Sequence, residues 1–400
     1  MKIRELCRLR HVVSLALLVG TALSPAQGQN YQLSPELAAK VATHPHVRQL
    51  TAWGGRYEWS ADSNKLMFVS REYGDVFEMD VATGATRPLT FHFPHHGFQR
   101  AYYLANGDIL LTGSPNTPFD LDGRMFSRWT ESELWLLKAD LSGPPIQLGA
   151  RNLEGVAVSR NSMRIVWSQQ EGPKPARRPD SRFSELWTPA GRQKLQLWSA
   201  DISVKDGKPA LVNRKMIFDC ARPSGDLAKL LARRKGHVCS IVEPQNFITN
   251  DGSKLTITLV TVPNLDDPTQ GLAHMQTGGF VLDAISGRLM PLSSKPGYFE
   301  PEGVFPGGAY TLVEHFPVGD GESATRRLDL WRLKLDGSGE LTPVTRYNAI
   351  DGHLKSNQGV VSPDGKWLAF GVSTSELESK VFGGSLGIFL MNLEAAGLRQ

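Results

Sequence analysis

The stretch Trp59-Ser-Ala-Asp-Ser-Asn-Lys-Leu-Met-Phe-Val-Ser-Arg-Glu-Tyr-Gly-Asp-Val-Phe-Glu-Met-Asp-Val-Ala-Thr-Gly-Ala-Thr-Arg-Pro-Leu-Thr90 decides the fold. A short strand ends at Trp59, a Ser60-Ala61-Asp62-Ser63 turn follows, and Leu66 to Ser70 reads as a second strand. Val76 to Val81, a Thr83-Gly84 turn and a closing strand ending in Leu89-Thr90 complete the unit. Four strands in about forty residues, each bounded by Gly, Asp, Asn or Ser, make one blade-like sheet. A single such sheet cannot bury both of its faces, so the unit requires repetition around a ring.

The repeats are present. Third strands recur at Glu133 to Asp140, Gln196 to Asp201, Gly279 to Asp283, Leu328 to Leu335 and Gly387 to Asn392. Closing strands recur at Ile146 to Leu148, Ala210 to Ile217, Arg288 to Ser293 and Leu341 to Thr345. The last third strand has no closing strand after it, whereas Val47-Arg48-Gln49-Leu50-Thr51 reads as a closing strand with no blade before it. Joining the two removes the open edge. The expectation is therefore an all-β, six-bladed propeller spanning 47–400, its ring closed by the strand at about 47–51. The turn between first and second strands recurs as Ser60 to Ser63, Ala105-Asn106-Gly107, Ser159 to Ser162, Asn250-Asp251-Gly252, Pro306-Gly307-Gly308 and Ser362-Pro363-Asp364-Gly365. These residues tolerate the left-handed backbone of tight turns, which makes Asp62 and Asp364 turn formers and not catalytic acids.

Trp59 to Gly84 and Val361-Ser362-Pro363-Asp364-Gly365-Lys366-Trp367-Leu368-Ala369-Phe370 resemble the WD40-like (PD40) repeats of TolB-type propellers. The same blade pattern occurs in the propeller domains of prolyl oligopeptidase-type peptidases. The resemblance covers essentially the whole chain after its leader and implies a TolB-like fold with a role in the cell envelope. The sequence departs from TolB in having only Gln29 to His46 ahead of the first strand, too few residues for TolB's separate α/β domain, and from the peptidases in leaving nothing to build a hydrolase domain.

Met1 to Arg10 is basic, Val12 to Leu23 is apolar, and Ala26-Gln27-Gly28 supplies small residues where a signal peptidase reads. Residues 1–28 thus read as a secretory signal, 29–46 as a lead segment with a short helix at Ser34 to Val41, and the destination as periplasmic or secreted. The apolar run is too short for a stable membrane span. Lys2, Arg4, Arg8 and Arg10 against Glu5 account for +3 of the formal net charge of +4, leaving +1 for the remainder. Nothing in that balance calls for nucleic acid or an anionic membrane. Beyond the leader only Cys220 and Cys239 remain, which in an oxidising compartment read as a disulfide, with a two-cysteine metal site as the other reading.

Every long insertion falls between second and third strands or between blades, and both classes of connection emerge on one face of an up-and-down propeller. They are Ser114 to Ser132, Gln169 to Lys194, Val262 to Thr277, Pro317 to Arg326, Ser373 to Ser385 and Phe218 to Ser240. That face is the expected binding surface. Inner strands start there with polar residues, so Arg56, His96, Gln99, Arg100, Glu154, Glu243, Glu302, His353, Asn357 and Gln358 are candidates for a ligand-binding axial mouth. The competing reading is a polar, water-filled pore.

Weaker signals follow. His92-x-x-His95-His96, with His353 and Gln358, resembles the histidine and glutamine manganese site of oligogalacturonate lyases, propellers of seven blades. His95, His96 and His353 are accordingly the metal candidates; no cofactor is called for, although a divalent metal in the channel is compatible with such a ring. Gly383-Gly384-Ser385-Leu386-Gly387 fits a nucleophile elbow by letters but precedes a strand. Lys174, Arg177, Arg178, Arg182, Arg192 and Lys194 make one insertion basic, and Trp129 and Trp187 are candidates for stacking on a sugar or a partner. With no nucleophile and base pair in view, the expected function is binding or scaffolding of an envelope protein or polysaccharide. The alternative is a metal-assisted lyase or hydrolase on an acidic saccharide, using His96, Glu154, Glu243, Glu302 and His353 with Arg56 or Arg100 on the substrate carboxylate.

Overall fold

The computed structural model describes residues 35–116, 121–172, 195–266, 270, 273–295, 297–316, 327–374, 377 and 385–399. Six four-stranded antiparallel sheets form the ring. Blade 1 is β2 (Gly55–Trp59), β3 (Lys65–Val69), β4 (Val76–Asp80) and β5 (Thr86–Pro88). Blade 2 is β6 (Arg100–Tyr103), β7 (Ile109–Gly113), β8 (Glu133–Leu137) and β9 (Ile146–Arg151). Blade 3 is β10 (Leu153–Val158), β11 (Arg164–Gln170), β12 (Leu195–Lys205) and β13 (Lys208–Asp219). Blade 4 is β14 (His237–Phe247), β15 (Lys254–Pro263), β16 (Gln276–Asp283) and β17 (Leu289–Pro291), and blade 5 is β18 (Tyr298–Val304), β19 (Tyr310–Phe316), β20 (Asp329–Lys334) and β21 (Leu341–Pro343). Blade 6 is β22 (Leu354–Val361), β23 (Trp367–Thr374) and β24 (Ile388–Asn392), completed by β1 (Val47–Thr51). Each inner strand touches the inner strand of both neighbouring blades, from β2 round to β22 and back.

The burial of each strand follows its rank in the blade. β7, β15 and β23 are buried along nearly their whole length because neighbouring blades cover both of their faces, and they carry apolar residues or threonine almost throughout, as in Leu255 to Val262. β2, an inner strand, alternates buried and half-buried positions, and β13, an outer strand, is mostly exposed. The apolar clusters sit between blades: Leu312, Leu330, Phe370 and Phe389 join blades 5 and 6, while Trp59, Phe68, Ala369 and Ile388 join blades 6 and 1. Trp59 also donates its indole N–H to the Val360 carbonyl at 3.0 Å, tying the first blade to the last.

Ring closure is the strand pair expected from the sequence. Val47 pairs with Met391, Arg48 with Leu390 and Gln49 with Phe389, and a bulge then brings Thr51 opposite Ile388. A recurring threonine explains the register. The Thr90 hydroxyl accepts from Val76 N at 3.1 Å, Thr345 from Leu330 N at 2.8 Å and Thr51 from Ile388 N at 3.3 Å, so the same hydroxyl at the end of a closing strand caps the start of the third strand. In blades 1 and 5 that hydroxyl also donates to Asp75 and Asp329.

Among the described residues four helices accompany the ring: α1 (Pro35–Ala42), α2 (Leu121–Thr130), α3 (Gly225–Arg233) and α4 (Tyr347–Ile350). Pro35 begins α1, where its missing N–H costs nothing, and Val41 and Leu37 pack on the blade 5/6 core. α2 lies in the β7–β8 connection and α3 in the β13–β14 connection, whose ends the Cys220–Cys239 disulfide clamps with a Cα–Cα separation of 5.4 Å. No helix among the described residues is long and apolar enough to cross a membrane.

Removal of residues 47–51 is expected to expose the β24 edge, lowering the urea midpoint and producing concentration-dependent association in light scattering. A variant matching the intact chain in both measurements overturns the closure. The double substitution Cys220→Ser and Cys239→Ser is expected to cost about 3 kcal/mol in denaturant titrations, and reductant is expected to bring the unsubstituted chain to the same midpoint.

Candidate binding site at the axial mouth

The site is made by irregularities in the inner strands. Register shifts fall between Gly55 and Glu58 in β2, Leu153 and Val156 in β10, Pro244 and Phe247 in β14, Pro301 and Gly303 in β18, and Asn357 and Val360 in β22. Three of these bulges hold a non-glycine residue in left-handed backbone: Arg56 at φ 57°, Glu154 at φ 57° and Gln358 at φ 56°. Such bulges re-aim side chains and interrupt the ladder, and the strain persists only where surrounding contacts impose it. Those contacts come from the adjacent blade. Arg56 N donates to Gln358 Oε1 at 3.1 Å, Gln358 N to Glu314 Oε1 at 2.7 Å and Gly155 N to Glu243 Oε1 at 3.1 Å, while Asn246 Nδ2 donates to the Glu302 carbonyl at 3.1 Å.

On the side of blades 1 to 4 the charges alternate. Arg56 faces Glu72 at 3.6 Å, Glu72 faces Arg128 at 3.4 Å, and Arg128 donates to Glu154. Glu154 lies 3.6 Å from Arg100, which reaches Glu243 at 3.3 Å. Three guanidiniums thus meet three carboxylates, and each inner member touches two partners of opposite sign. Arg128 enters from α2 and is 3% exposed; desolvation pushes its guanidinium down to about 10 against the pull of Glu72. α2 is held over the mouth by the Tyr73 hydroxyl, which donates to the Arg124 carbonyl at 2.7 Å, and by buried Phe126.

Blade 5 is unlike this. Carboxylate oxygens of Glu300, Glu302 and Glu314 all lie within 4.8 Å of one another. Burial, then the neighbouring Glu314 and Glu243, push Glu300 up to about 8, although the Tyr298 hydroxyl donates to it. Glu302 is held well above the ordinary carboxylate range by burial and by Glu314 and Glu300. Lower in the channel burial raises Glu58 to about 7, opposed by Arg160. Between the two sides lies an axial cavity of about 60 Å³, with Arg56, Arg100, Glu302, Gln358, Tyr102 and Val360 among its walls.

Of the residues expected at the mouth, Arg56, Arg100, Glu302 and Gln358 line the cavity, and Glu154 and Glu243 are buried beside it in the charge chain. His96, Gln99, His353 and Asn357 are not on its walls. His96 and His353 are exposed on the connections ahead of β6 and β22. Gln99 is buried, donating to the Tyr73 hydroxyl at 2.7 Å and accepting from Ser132 at 3.0 Å, and Asn357 is buried in β22 opposite Gly371. Both ring nitrogens of His95 are engaged, Nε2 with Asp75 at 2.9 Å and Nδ1 with Gly97 N at 2.9 Å, which leaves no lone pair for a metal.

Other signals resolve structurally. Ser385 donates to the Gly387 carbonyl at 2.8 Å and β24 follows, so no nucleophile elbow forms. Trp129 packs on the apolar cluster of blades 3 and 4 and is not presented for stacking. Trp187 and the basic run from Lys174 to Lys194 lie outside the described residues. Glu72, Arg128 and Glu314 are site residues that the sequence reading missed. Arg128 sits on a helix inside an insertion, where no repeat marks it. Glu314 left a trace, as a charged residue in an otherwise apolar second strand, Tyr310-Thr-Leu-Val-Glu-His-Phe316.

No protein-family profile matches the chain, and no curated protein matches it in sequence. Several solved structures resemble it in part. A putative TolB from Agrobacterium tumefaciens is 13% identical, covering 76% of this chain and 78% of its own at a TM-score of 0.45. An oligogalacturonate lyase from Vibrio parahaemolyticus is 10% identical, with coverages of 87% and 93% and a TM-score of 0.48. TolB from Acinetobacter baumannii is 14% identical, with coverages of 72% and 55% and a TM-score of 0.38. These are likenesses of fold. On its own strand topology the chain is a six-bladed β-propeller closed by its first strand.

An unfolded glutamate ionises near 4.5, so between there and about 8 folded Glu300 holds a proton that the unfolded chain has lost. Stability therefore falls as pH rises through that window. Glu300→Gln is expected to match the parent below it and to exceed the parent's denaturation midpoint above it. A difference between the two that does not change with pH overturns the assignment.

Proposed function

We propose that the chain is an exported binding propeller, which engages an envelope protein or polysaccharide through the face carrying its long connections, with the axial mouth at the centre of that face. The observation that carries this reading is the pairing of charge at the mouth: Glu154 and Glu243 are neutralised by Arg100 and Arg128, Glu154 sits in left-handed backbone, and Glu243 staples Gly155 N of the adjacent blade. Groups spent in this way form a rigid recognition surface and are poorly placed to shuttle protons or ligate a metal. The disulfide across the β13–β14 connection stiffens one loop of the same face and supports an oxidising destination. The lyase or hydrolase reading asks His96, Glu154, Glu243, Glu302 and His353 to share one centre. Two of these are tied to arginines and the two histidines are exposed on connections away from the cavity walls.

Cross-linking of the tagged protein in an envelope extract, read by mass spectrometry, tests the proposal. Cross-links to one class of partner are expected on the connections bearing α2 and α3, and few on the short turns such as Ser159 to Ser162 of the opposite face. Partners spread evenly over both faces, or none above a scrambled-bait control, overturn it.

A further inference from the structure

Beyond the docking face, we infer that the axial cavity is a carboxylate-binding subsite, which opens on the face of the short turns and takes the acid group of a small ligand. The cavity belongs to the lower half of the channel. Glu58, Val158, Asn246, Glu302 and Val360 line it from the later residues of β2, β10, β14, β18 and β22, and Arg160 lines it from the Ser159 to Ser162 turn that follows β10. These strands run from the long connections towards the short turns. At their upper end α2 and the charge chain shut the channel, since Glu72, Arg128, Glu154 and Glu243 are all buried. Arg160 at the lower end is exposed. A ligand therefore enters from the short-turn side.

Size and open valences select the ligand. A cavity of about 60 Å³ exceeds the roughly 10–15 Å³ that one water needs but falls short of the roughly 150 Å³ that holds a benzene ring. It admits a group of a few heavy atoms and not a sugar or aromatic ring. The groups left with hydrogen bonds to give are donors. Arg56 meets Glu72 only at 3.6 Å, its Nε is buried without a hydrogen-bond partner, and among the described residues its guanidinium donates no hydrogen bond. Arg160 likewise donates none among those residues. The Tyr102 hydroxyl accepts from Val156 N at 3.0 Å and, among the described residues, donates to nothing. Arg100 is spent on Glu154 and Glu243, so the three arginines and three carboxylates of the charge chain balance without a ligand. Of the two carboxyls on the walls, burial raises Glu58 to about 7 against the pull of Arg160, with Tyr102 and Tyr103 also facing it. Burial and the neighbouring Glu314, Glu300 and Glu243 raise Glu302 against the pull of Arg100. A cation entering here has to displace those protons and sit beside Arg56 and Arg160. A carboxylate meets guanidiniums whose planar N–H forks match its two oxygens, together with O–H donors.

Isothermal titration of the protein with acetate, inorganic phosphate and ethylammonium at constant ionic strength tests the inference. Saturable acetate binding is expected, with phosphate weaker and ethylammonium inert. Acetate is expected to bind more tightly at pH 6 than at pH 8 and to take up protons, because Glu58 in its protonated form donates to the anion and in its ionised form repels it. Glu58→Gln is expected to remove most of that difference while keeping the affinity at pH 6. Arg160→Gln is expected to weaken acetate about tenfold while keeping the parent's unfolding midpoint. Lys229→Gln, which removes one positive charge from an exposed ion pair on the long-loop face, is expected to leave binding unchanged. Absence of saturable acetate binding, undiminished binding by the Arg160→Gln variant, tighter binding of phosphate or ethylammonium, or affinity that rises with pH overturns the inference. Cross-linking over the long-loop face reads the opposite surface, so either result can fail alone.

Discussion

The structure depends on one backbone pairing, β1 with β24 across nearly the whole length of the chain. A propeller blade is stable only with its third strand paired on both sides and both faces of its second strand covered. Without β1 the sixth blade has three strands, and β23 and β24 lose the register that packs Phe370 and Phe389 on blade 5 and Ile388 on blade 1. The pairing is specified chemically as well as by hydrophobic pattern. Thr51 caps Ile388 as Thr90 caps Val76 and Thr345 caps Leu330, so β1 carries the signature of a closing strand although it precedes every blade.

Closure has consequences at the axis. Once the ring is shut, six inner strands converge, and regular strands would point alternate side chains into each other around a shared centre. Bulges relieve this by turning Arg56, Glu154 and Gln358 through left-handed backbone. The disturbed ladder is repaired by neighbours: Gln358 bonds Arg56 N, and Glu314 bonds Gln358 N. Blades 5, 6 and 1 are thus stapled in sequence at the level of the cavity. Gln358, which lines the cavity, therefore also holds the next blade in place.

This coupling decides what was legible in the sequence. Blade count, closure by Val47 to Thr51, the disulfide and the placement of the long connections follow from period-two patterning, turn chemistry and cysteine count, all local properties. So does the polarity of Arg56, Arg100, Glu302 and Gln358 at the starts of inner strands. The bulges do not follow, because left-handed backbone at an arginine or a glutamate is imposed by contacts from the adjoining blade and has no local signature. Arg128 was invisible for the same reason, since a helix in an insertion has no repeat to fix its direction. The histidines misled in the opposite sense: His92, His95 and His96 are close in sequence, but His95 turns inward to Asp75 and Gly97 while His96 is left exposed.

The two sides of the axis then differ for a physical reason. Where α2 crosses the mouth, buried carboxylates of blades 1 and 3 are matched by an arginine brought to them, and the cost of desolvating both signs is offset by their mutual bonds. On blade 5, burial and the crowding of like charge instead hold Glu300 and Glu302 above the ordinary carboxylate range.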